Sequence, residues 1–333
     1  MKKIGILTYW GVPNYGAWMQ AYALNNVVRE IAQDEDEVHH IDYLSDVHWN
    51  AYYKKDIQLE NAFSYSWDEI IHSFKMTVSD LEKQYYDIVI LGSDAIWEFS
   101  HDDMGNDIHL VGQNINAKKI SSYAASFGET KMEELENWVI NGISKLDLIT
   151  IRDQYSKTIV DSLIENRKSQ LVLDPSLLYD FQNDKKIKEP RYKKYIAVYG
   201  VRFDDEFINE TICFARENNL ELISIGYINS WCDRSIKMLE LRTFEWLGFI
   251  KNADYVATSM FHGLMLSISF NKQVRFDQVE YVKNRSQTLL EQLSIEDCVS
   301  NYDVDIDYTK VNCKLQELRK NSIDIIKKII TID

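Results

Sequence analysis

The sequence predicts an α/β protein with two doubly wound, Rossmann-like domains that face a central cleft. Short apolar runs alternate with stretches of helical periodicity along the chain, which is typical of parallel sheets covered by helices on both faces. The 333 residues suffice for two domains of ordinary size. A polar, charged stretch interrupts the alternation near the middle, after which the alternation resumes.

The first half of the chain opens with an apolar run at 3–9, a loop containing two glycines, and a helix whose apolar face includes Ala17, Ala21 and Leu24. Further buried strands are predicted at 87–91, 120–124, 148–151 and 171–173, and helices at 131–143 and 154–163. The segment 47–80 is rich in Trp, Tyr and His without a clean period, so we interpret it as an inserted helical and aromatic segment. The N-terminal domain is predicted at 1–182.

The second half follows a linker at 183–194 and forms a C-terminal domain at 195–309. Its predicted strands are 195–199, 221–225 and 255–258, and its predicted helices are 205–218, 244–251 and 262–270. The segment 310–333 carries a final helix with an aliphatic stripe and several lysines. We expect this stripe to pack on the body of the protein, with a membrane surface as the alternative.

Composition excludes several classes of protein. With 37 Lys+Arg against 52 Asp+Glu, the formal charge of −15 disfavours nonspecific binding to nucleic acid. The four cysteines form no C-x-x-C pair, so no zinc knuckle or redox dithiol is indicated and a reducing cytoplasm fits best. No apolar stretch approaches the ~20 residues that span a bilayer.

The loop at 259–263 lies where a predicted strand gives way to an apolar helix, and Ser259 is expected to cap that helix. A helix N-terminus attracts anions through its unpaired N–H groups and its dipole, and the backbone at Gly263 belongs to this first turn. His262 could donate to a phosphate or carboxylate and act as a general acid. The alternative is a capping serine beside a half-buried histidine with structural partners.

Arg152 follows another predicted strand, which would place a guanidinium at the mouth of the cleft. Its planar fork matches carboxylate or phosphate geometry, although a structural ion pair with a neighbouring acid is the alternative. Lys283 and Arg285 belong to a compact basic cluster that either completes an anion pocket or begins a solvated helix.

Two further strand-end loops carry polar side chains. The loop at 11–16 suggests a tight turn that exposes Asn14 and Tyr15 to a ligand, or a purely structural turn. Ser93 and Asp94 offer a hydroxyl and a carboxylate after the strand at 87–91, where capping of the next helix is the alternative role.

Taken together, these loops resemble the polysaccharide pyruvyl transferase family, and the resemblance covers most of the chain. Its motifs are Gly-Val-Pro-Asn-Tyr-Gly-Ala at 11–17 with 20–24, Leu-Gly-Ser-Asp at 91–94 with Trp97, 123–128, Ile-Arg-Asp at 151–153 with Ser156, 173–178, 253–254, Ser-Met-Phe-His-Gly at 259–263, and 284–285 with 289–290.

The resemblance implies a fold like that of the GT-B glycosyltransferases and transfer of a pyruvyl group from phosphoenolpyruvate to a sugar as a cyclic ketal. Arg152 and His262 match the donor-binding motifs. On this reading Arg152 clamps one anionic group of the donor, the helix start at 259–263 holds the other, His262 is the acid or a phosphate ligand, and Asp94 is a base for a sugar hydroxyl.

The implied partners are phosphoenolpyruvate, as donor substrate, and a sugar acceptor that could be lipid-linked, on which aromatic residues of 47–80 could stack. No metal or other cofactor is required. We expect a cytoplasmic protein, with peripheral association at the inner membrane surface left open.

One departure from the family pattern concerns Met260, since family members often carry an arginine two residues before this histidine. Either another cation, such as Arg285, Lys283 or Arg202, supplies the charge, or the donor or the activity has changed. Two alternatives therefore remain: a GT-B glycosyltransferase with a nucleotide-sugar donor, and a catalytically silent member that binds a glycan or a partner protein.

Overall fold

The computed structural model describes residues 1–53, 57–100, 105–164 and 167–332. The chain divides into two compact units. The first unit comprises Met1–Tyr179 together with Glu317–Asp333, and the second unit comprises Asp180–Gln316.

The first unit is built on a four-stranded sheet whose strands all run parallel. The strands are β1 (Lys3–Leu7), β2 (Glu37–His40), β3 (Tyr86–Leu91) and β4 (Ala117–Ser122), in the order β2-β1-β3-β4. A short parallel pair, β5 (Thr150–Ile151) and β6 (Gln170–Leu171), lies next to β4 through the bridges Ser121–Leu148 and Ala125–Ile151. Strands of a sheet covered on both faces read as apolar runs, which is why the sequence predicts β1 and β3 well.

The helices of the first unit are α1 (Tyr15–Ile31), α2 (Asp46–Tyr53), α3 (Ile57–Trp67), α4 (Val78–Lys83), α5 (Asn137–Ile143) and α6 (Gln154–Leu163). The segment 47–80 thus carries α2, α3 and the start of α4, while its residues 54–56 lie outside the described residues. The helix predicted at 131–143 begins only at Asn137, because a 3₁₀ turn at Met132–Glu134 precedes it.

Aliphatic residues of the last helix, α12 (Tyr308–Ile330), help to cover the first sheet. Ile325, Ile326 and Ile329 belong to the same core cluster as Ile4 and Ile6 of β1. Burial of each such side chain stabilises a fold by about 1.5–3 kcal/mol. Among the described residues, no helix is both long and apolar enough to cross a membrane.

The second unit contains a five-stranded parallel sheet. Its strands are β7 (Tyr195–Tyr199), β8 (Glu221–Gly226), β9 (Arg234–Lys237), β10 (Tyr255–Thr258) and β11 (Gln273–Phe276), in the order β11-β10-β7-β8-β9. Its helices are α7 (Asp205–Glu217), α8 (Thr243–Asn252), α9 (Phe261–Ser269), α10 (Glu280–Leu293), α11 (Glu296–Ser300) and the first part of α12.

The predicted α/β class is confirmed, since both main sheets are parallel and alternate with helices. The sequence reading missed β2, β9, β11, α10 and α11, which are short or polar. In β2, for example, His40 is fully buried and its ring nitrogen Nε2 lies 2.9 Å from the carbonyl oxygen of Ala21. Burial lowers the pKa of His40 to about 3, so this polar residue is neutral in the core.

Candidate functional site

Strand order gives each unit a place where a ligand can bind. In the first sheet β1 lies between β2 and β3. The chain therefore adds β2 on one side of β1 and then crosses over to add β3 on the other side. In the second sheet β7 lies in the same way between β8 and β10. Ligands of doubly wound folds bind beyond the carboxyl ends of the strands at such a switch point. The loops after β1 and β3, and those after β7 and β10, are therefore the candidate sites.

A buried hydrogen-bond network holds the loop after β1 to the loop after β3. Thr8 Oγ1 donates to the carbonyl oxygen of Ser93 across 2.6 Å, and Ser93 Oγ donates to Gln20 Oε1 across 2.8 Å. The amide of Gln20 in turn donates to the carbonyl oxygen of Ala17 across 2.9 Å. The expectation that Ser93 offers a hydroxyl to substrate is wrong, because this side chain is fully buried and holds the loop to α1.

Arg152 lies between two carboxylates. Its Nη1 donates to Asp174 Oδ2 across 2.8 Å and its Nη2 donates to Asp94 Oδ1 across 3.0 Å. Burial alone would lower the pKa of the guanidinium, but Asp94 and Asp174 outweigh burial and raise this pKa. The side chain is 1% exposed, so the expectation of an open guanidinium that clamps a ligand is wrong. The physical reason is that the loops after β3, β5 and β6 bring two acids to one arginine.

Asp94 is the member of this cluster that reaches solvent. Its side chain is 18% exposed, against 2% for Asp174. Its Oδ1 accepts from Arg152 and also from the backbone N–H of Ala95 across 2.8 Å. These bonds give a partly accessible carboxylate a fixed orientation at the switch point of the first sheet, as a general base requires.

Asn14 and Tyr15 do not form an open turn. Asn14 caps α1, since its Oδ1 accepts from the N–H groups of Gly16 and Ala17 across 2.9 and 3.2 Å. Tyr15 is fully buried and its ring packs 5.0 Å from that of Phe63. The expectation that Tyr15 faces a ligand is therefore wrong, and Asn14 has the structural role of the alternative, because this loop begins a helix whose first turn is in the core.

In the second unit, Ser259 joins two loops rather than capping a helix. Its Oγ donates to the carbonyl oxygen of Val201 across 2.8 Å and accepts from the N–H of Val201 across 3.2 Å. The N-cap position of α9 belongs to Met260, whose side chain makes no capping bond. The predicted capping role of Ser259 is wrong; the residue instead ties the loop after β10 to the loop after β7.

The first turn of α9 contains His262 and Gly263. His262 is half-buried and its ring lies edge-on to Phe261, with 5.2 Å between centroids. A Cβ at Gly263 would lie 2.2 Å from Thr258 Oγ1, so only glycine allows the helix to begin this close to the end of β10. The positive end of the α9 dipole is thereby held at the switch point of the second sheet.

Three cations of the second unit are the candidates named above to replace the arginine that family members often carry at the position of Met260. Arg202 is exposed in the loop after β7, while Lys283 is exposed and Arg285 is half-buried on α10, a helix that contacts α9. Lys283 and Arg285 therefore lie in the early turns of a helix, as the alternative interpretation of this cluster as a helix start expects. Among the described residues, no group of His, Cys, Asp and Glu side chains could hold a metal ion.

Sequence reasoning missed Thr8, Gln20 and Asp174 as members of the site. The signal for Gln20 was present, since it lies three residues after Ala17 and four before Leu24 and so shares the apolar face of α1. A buried amide must find hydrogen-bond partners, which indicates a polar network beneath that helix. Asp174 lies in the 173–178 motif of the family resemblance, but nothing in the sequence around it indicates that it pairs with Arg152.

Comparison with known proteins gives a family and a fold. A family model described as polysaccharide pyruvyl transferase matches residues 14–276, whereas the sequence matches no curated protein. The UDP complex of MnaA from S. aureus is 15% identical, with 98% of this chain and 91% of that chain covered and a TM-score of 0.53. The UDP-GlcNAc 2-epimerase of Methanocaldococcus jannaschii is 11% identical, with 94% and 91% covered and a TM-score of 0.50. These likenesses show the fold alone, which is GT-B-like as predicted.

Proposed function

Because the chain belongs to the polysaccharide pyruvyl transferase family, we propose that it transfers a pyruvyl group from phosphoenolpyruvate to a sugar of a cell-surface polysaccharide or its precursor. The product is a cyclic ketal that bridges two hydroxyls of one sugar. The family match across 14–276 is the observation that carries this proposal. The oriented carboxylate of Asp94 supports it from the chemistry of the site.

The reaction defines what the residues must do. One sugar hydroxyl adds to the central carbon of the donor while its methylene carbon receives a proton and becomes a methyl group. Phosphate then leaves, and the second hydroxyl adds to the same carbon and loses its proton. The two hydroxyls thus release two protons, of which the methylene carbon takes one and the departing phosphate takes the other, so the reaction needs an acid, a base and donors that hold anionic oxygens.

For the donor, we assign the anion site to the N-terminal turn of α9. The dipole and N–H groups of a helix start favour phosphate or carboxylate, and Gly263 keeps this turn close to the end of β10. His262 is the proposed acid that protonates the methylene carbon, or a ligand of the phosphate. Lys283, Arg285 or Arg202 supplies the positive charge in place of Met260.

For the acceptor, we assign the base to Asp94. Arg152 is reassigned from donor clamp to positioning residue, since both of its terminal nitrogens bind carboxylates. The ion pair with Arg152 fixes the orientation of the carboxylate that accepts a proton from a sugar hydroxyl. No metal or further cofactor takes part in this scheme, and we propose that the reaction occurs in the cytoplasm on an acceptor that can be lipid-linked.

Ligand-induced stabilisation tests the donor. Phosphoenolpyruvate should raise the melting temperature of the full chain, whereas UDP, GDP and CMP should not, because only a ligand of the native state stabilises it. Mass spectrometry of candidate glycans incubated with the protein and phosphoenolpyruvate should then detect the added pyruvyl mass. Stabilisation by a nucleotide alone would replace this proposal with a nucleotide-sugar glycosyltransferase.

A further inference from the structure

A pocket in the first unit lies beyond the carboxyl ends of β1 and β2, and the roles assigned above do not use it. Its volume is about 290 Å³, and its lining includes Trp10, Asp42, Trp49, Trp67, His72 and Lys75. Small-molecule pockets begin at roughly 300 Å³. The size therefore suits one six-membered ring rather than a longer oligosaccharide.

Aromatic side chains form a large part of the pocket wall. Trp10 is almost fully buried, its indole N–H donates to the carbonyl oxygen of Ile41 across 3.2 Å, and its ring lies 4.9 Å from that of His72. Trp49 is half-buried, with Lys75 Nζ lying 3.6 Å from its ring centroid. Trp10 is too buried to offer its face, but the half-buried rings of Trp49 and Trp67 offer flat apolar area at a small entropic cost, which matches the C–H face of a sugar.

Polar groups lie beside these rings. Asp42 Oδ2 is 3.8 Å from His72 Nδ1, and both side chains are partly exposed. His72 Nδ1 is 2.8 Å from the carbonyl oxygen of Ser73, so Nδ1 carries the proton of this hydrogen bond. Burial raises the pKa of the Asp42 carboxyl, and His72 and Lys75 oppose this rise. The pocket thus combines a carboxylate acceptor with an imidazole and an ammonium donor, a set that can bind neighbouring hydroxyls.

The charges of the lining also narrow the class of ligand. Asp42 and Asp68 both line the pocket, against one lysine. A sugar that carries a phosphate or carboxylate would meet two acids there, which disfavours binding. An uncharged hexopyranose avoids this repulsion and still has hydroxyls for Asp42 and His72.

Thr8 connects this pocket to the proposed base. It lines the pocket, and its Oγ1 donates to the carbonyl oxygen of Ser93, the residue before Asp94. β1 and β3 are neighbours, with Leu7 paired to Leu91, and neighbouring strands lie about 4.8 Å apart. The pocket and Asp94 therefore share one edge of the first sheet.

We propose that this pocket is the acceptor subsite and binds one uncharged hexopyranose ring of the glycan. Trp49 and Trp67 contact the C–H face of the ring, and Asp42 and His72 hold its hydroxyls. The inference rests on the proposed function, and it names the substrate class of the same reaction together with four residues that select it.

The test measures binding of uncharged methyl hexopyranosides (galacto, gluco and manno) to the full chain by saturation-transfer NMR titration. At least one glycoside should bind, and Asp42→Asn and Trp49→Ala should each weaken its affinity about fivefold or more. Trp138→Ala is the matched control, since Trp138 is a half-buried tryptophan that packs against Phe99 instead of lining the pocket. Thermal unfolding checks that each variant is folded.

The outcomes separate the subsite from the activity. If no glycoside binds the unaltered protein, or if both pocket variants bind as well as the control, the subsite assignment is wrong. If the unaltered protein forms the ketal while the pocket variants keep its acceptor KM, the subsite fails and the transferase proposal stands. If the pocket variants lose glycoside binding but phosphoenolpyruvate neither stabilises the protein nor adds a pyruvyl group, the transferase proposal fails and the sugar site stands.

Discussion

Arg152 Nη2 donates to Asp94 Oδ1 across 3.0 Å, which joins the end of β5 to the loop after β3. The same guanidinium also binds Asp174 after β6. One buried cation therefore aligns two carboxylates that lie 58 and 22 residues away from it in sequence. The Arg152–Asp94 pair thus gives the first unit one carboxylate, that of Asp94, which has a fixed orientation and is partly exposed to solvent.

The Arg152→Gln substitution should destabilise the protein strongly. Removing one partner of a buried ion pair leaves uncompensated charge, which costs about 3–5 kcal/mol. Urea unfolding should measure this loss in the free energy of unfolding. The control is Arg234→Gln, because Arg234 pairs with Glu221 at the exposed surface and its loss should change stability little. An equal effect of the two substitutions would mean that Arg152 has no special structural role.

The Asp94→Asn substitution should lower kcat while leaving the KM for phosphoenolpyruvate unchanged. An amide cannot accept the proton of the sugar hydroxyl, and loss of a general base costs about 10²–10⁴-fold in rate. Phosphate release in the presence of acceptor measures the effect. Asp324→Asn, at an exposed carboxylate on α12, should retain full activity. A kcat close to that of the unaltered enzyme would exclude Asp94 as the base.

The His262→Ala substitution should abolish phosphate release from phosphoenolpyruvate and leave the protein folded. The imidazole is half-buried at the start of α9, and its proposed role as acid contributes about 10²–10⁴-fold. Turnover is followed by phosphate release, and folding by circular dichroism. Should turnover persist in the folded variant, another group must protonate the methylene carbon.

The Gly263→Ala substitution should disturb the start of α9. The added methyl group would lie 2.2 Å from Thr258 Oγ1, and this hydroxyl already donates to the carbonyl oxygen of Tyr199. Overpacking of this kind costs about 1–3 kcal/mol, so the free energy of unfolding and the affinity for phosphoenolpyruvate should both fall. At Gly11 an added Cβ has no neighbour within 4 Å, and Gly11→Ala should therefore be tolerated. Equal tolerance at both positions would contradict the tight packing.

The stability gap between the unaltered protein and His109→Gln should shrink as pH rises. His109 is buried, with Nδ1 2.7 Å from Asp107 Oδ1 and Nε2 3.4 Å from Glu82 Oε1. Burial opposes protonation of this imidazole, but Asp107 and Glu82 outweigh it and raise the pKa of His109 above 6.5.

Because the folded pKa exceeds the unfolded value, the stabilisation by His109 is complete below pH ~6.5 and is lost as pH rises through the folded pKa. A hydrogen bond to a charged group contributes about 1.5–3 kcal/mol, so a gap of this size is expected near pH ~5.5 and a smaller one near pH ~8.5. Urea unfolding at both values measures the gap. A gap that widens with pH would show that His109 is neutral when folded.

Much of the fold was predictable because its signal is local. The apolar runs that became β1, β3, β7 and β10 are buried on both faces, so almost every residue in them is apolar. Helix α6 was found for the same reason, since its periodicity repeats within ten residues. In contrast, β2 and β11 were missed because they contain polar residues, whereas strands inside a covered sheet are usually apolar. These residues are His39, His40, Gln273 and Arg275.

The candidate site was only partly predictable. The loops at strand ends could be proposed from the sequence, since the direction of parallel strands dictates where their carboxyl ends meet. The roles of individual side chains within the loops were harder to predict from the sequence. Ser259 was expected to cap α9 because capping is a local relation, yet its partner Val201 is 58 residues away in sequence.

The sequence by itself determined the α/β class and the positions of the most apolar strands and the most periodic helices. Only the tertiary structure decided that Arg152 binds Asp94 and Asp174, that Gln20 holds Ser93, and that Trp49 shares a pocket with Asp42 and His72. The physical reason is that hydrophobic periodicity repeats within a few residues along the chain. A polar side chain, by contrast, takes whichever partners the packed strands bring to it, and those partners leave no mark on the sequence around it.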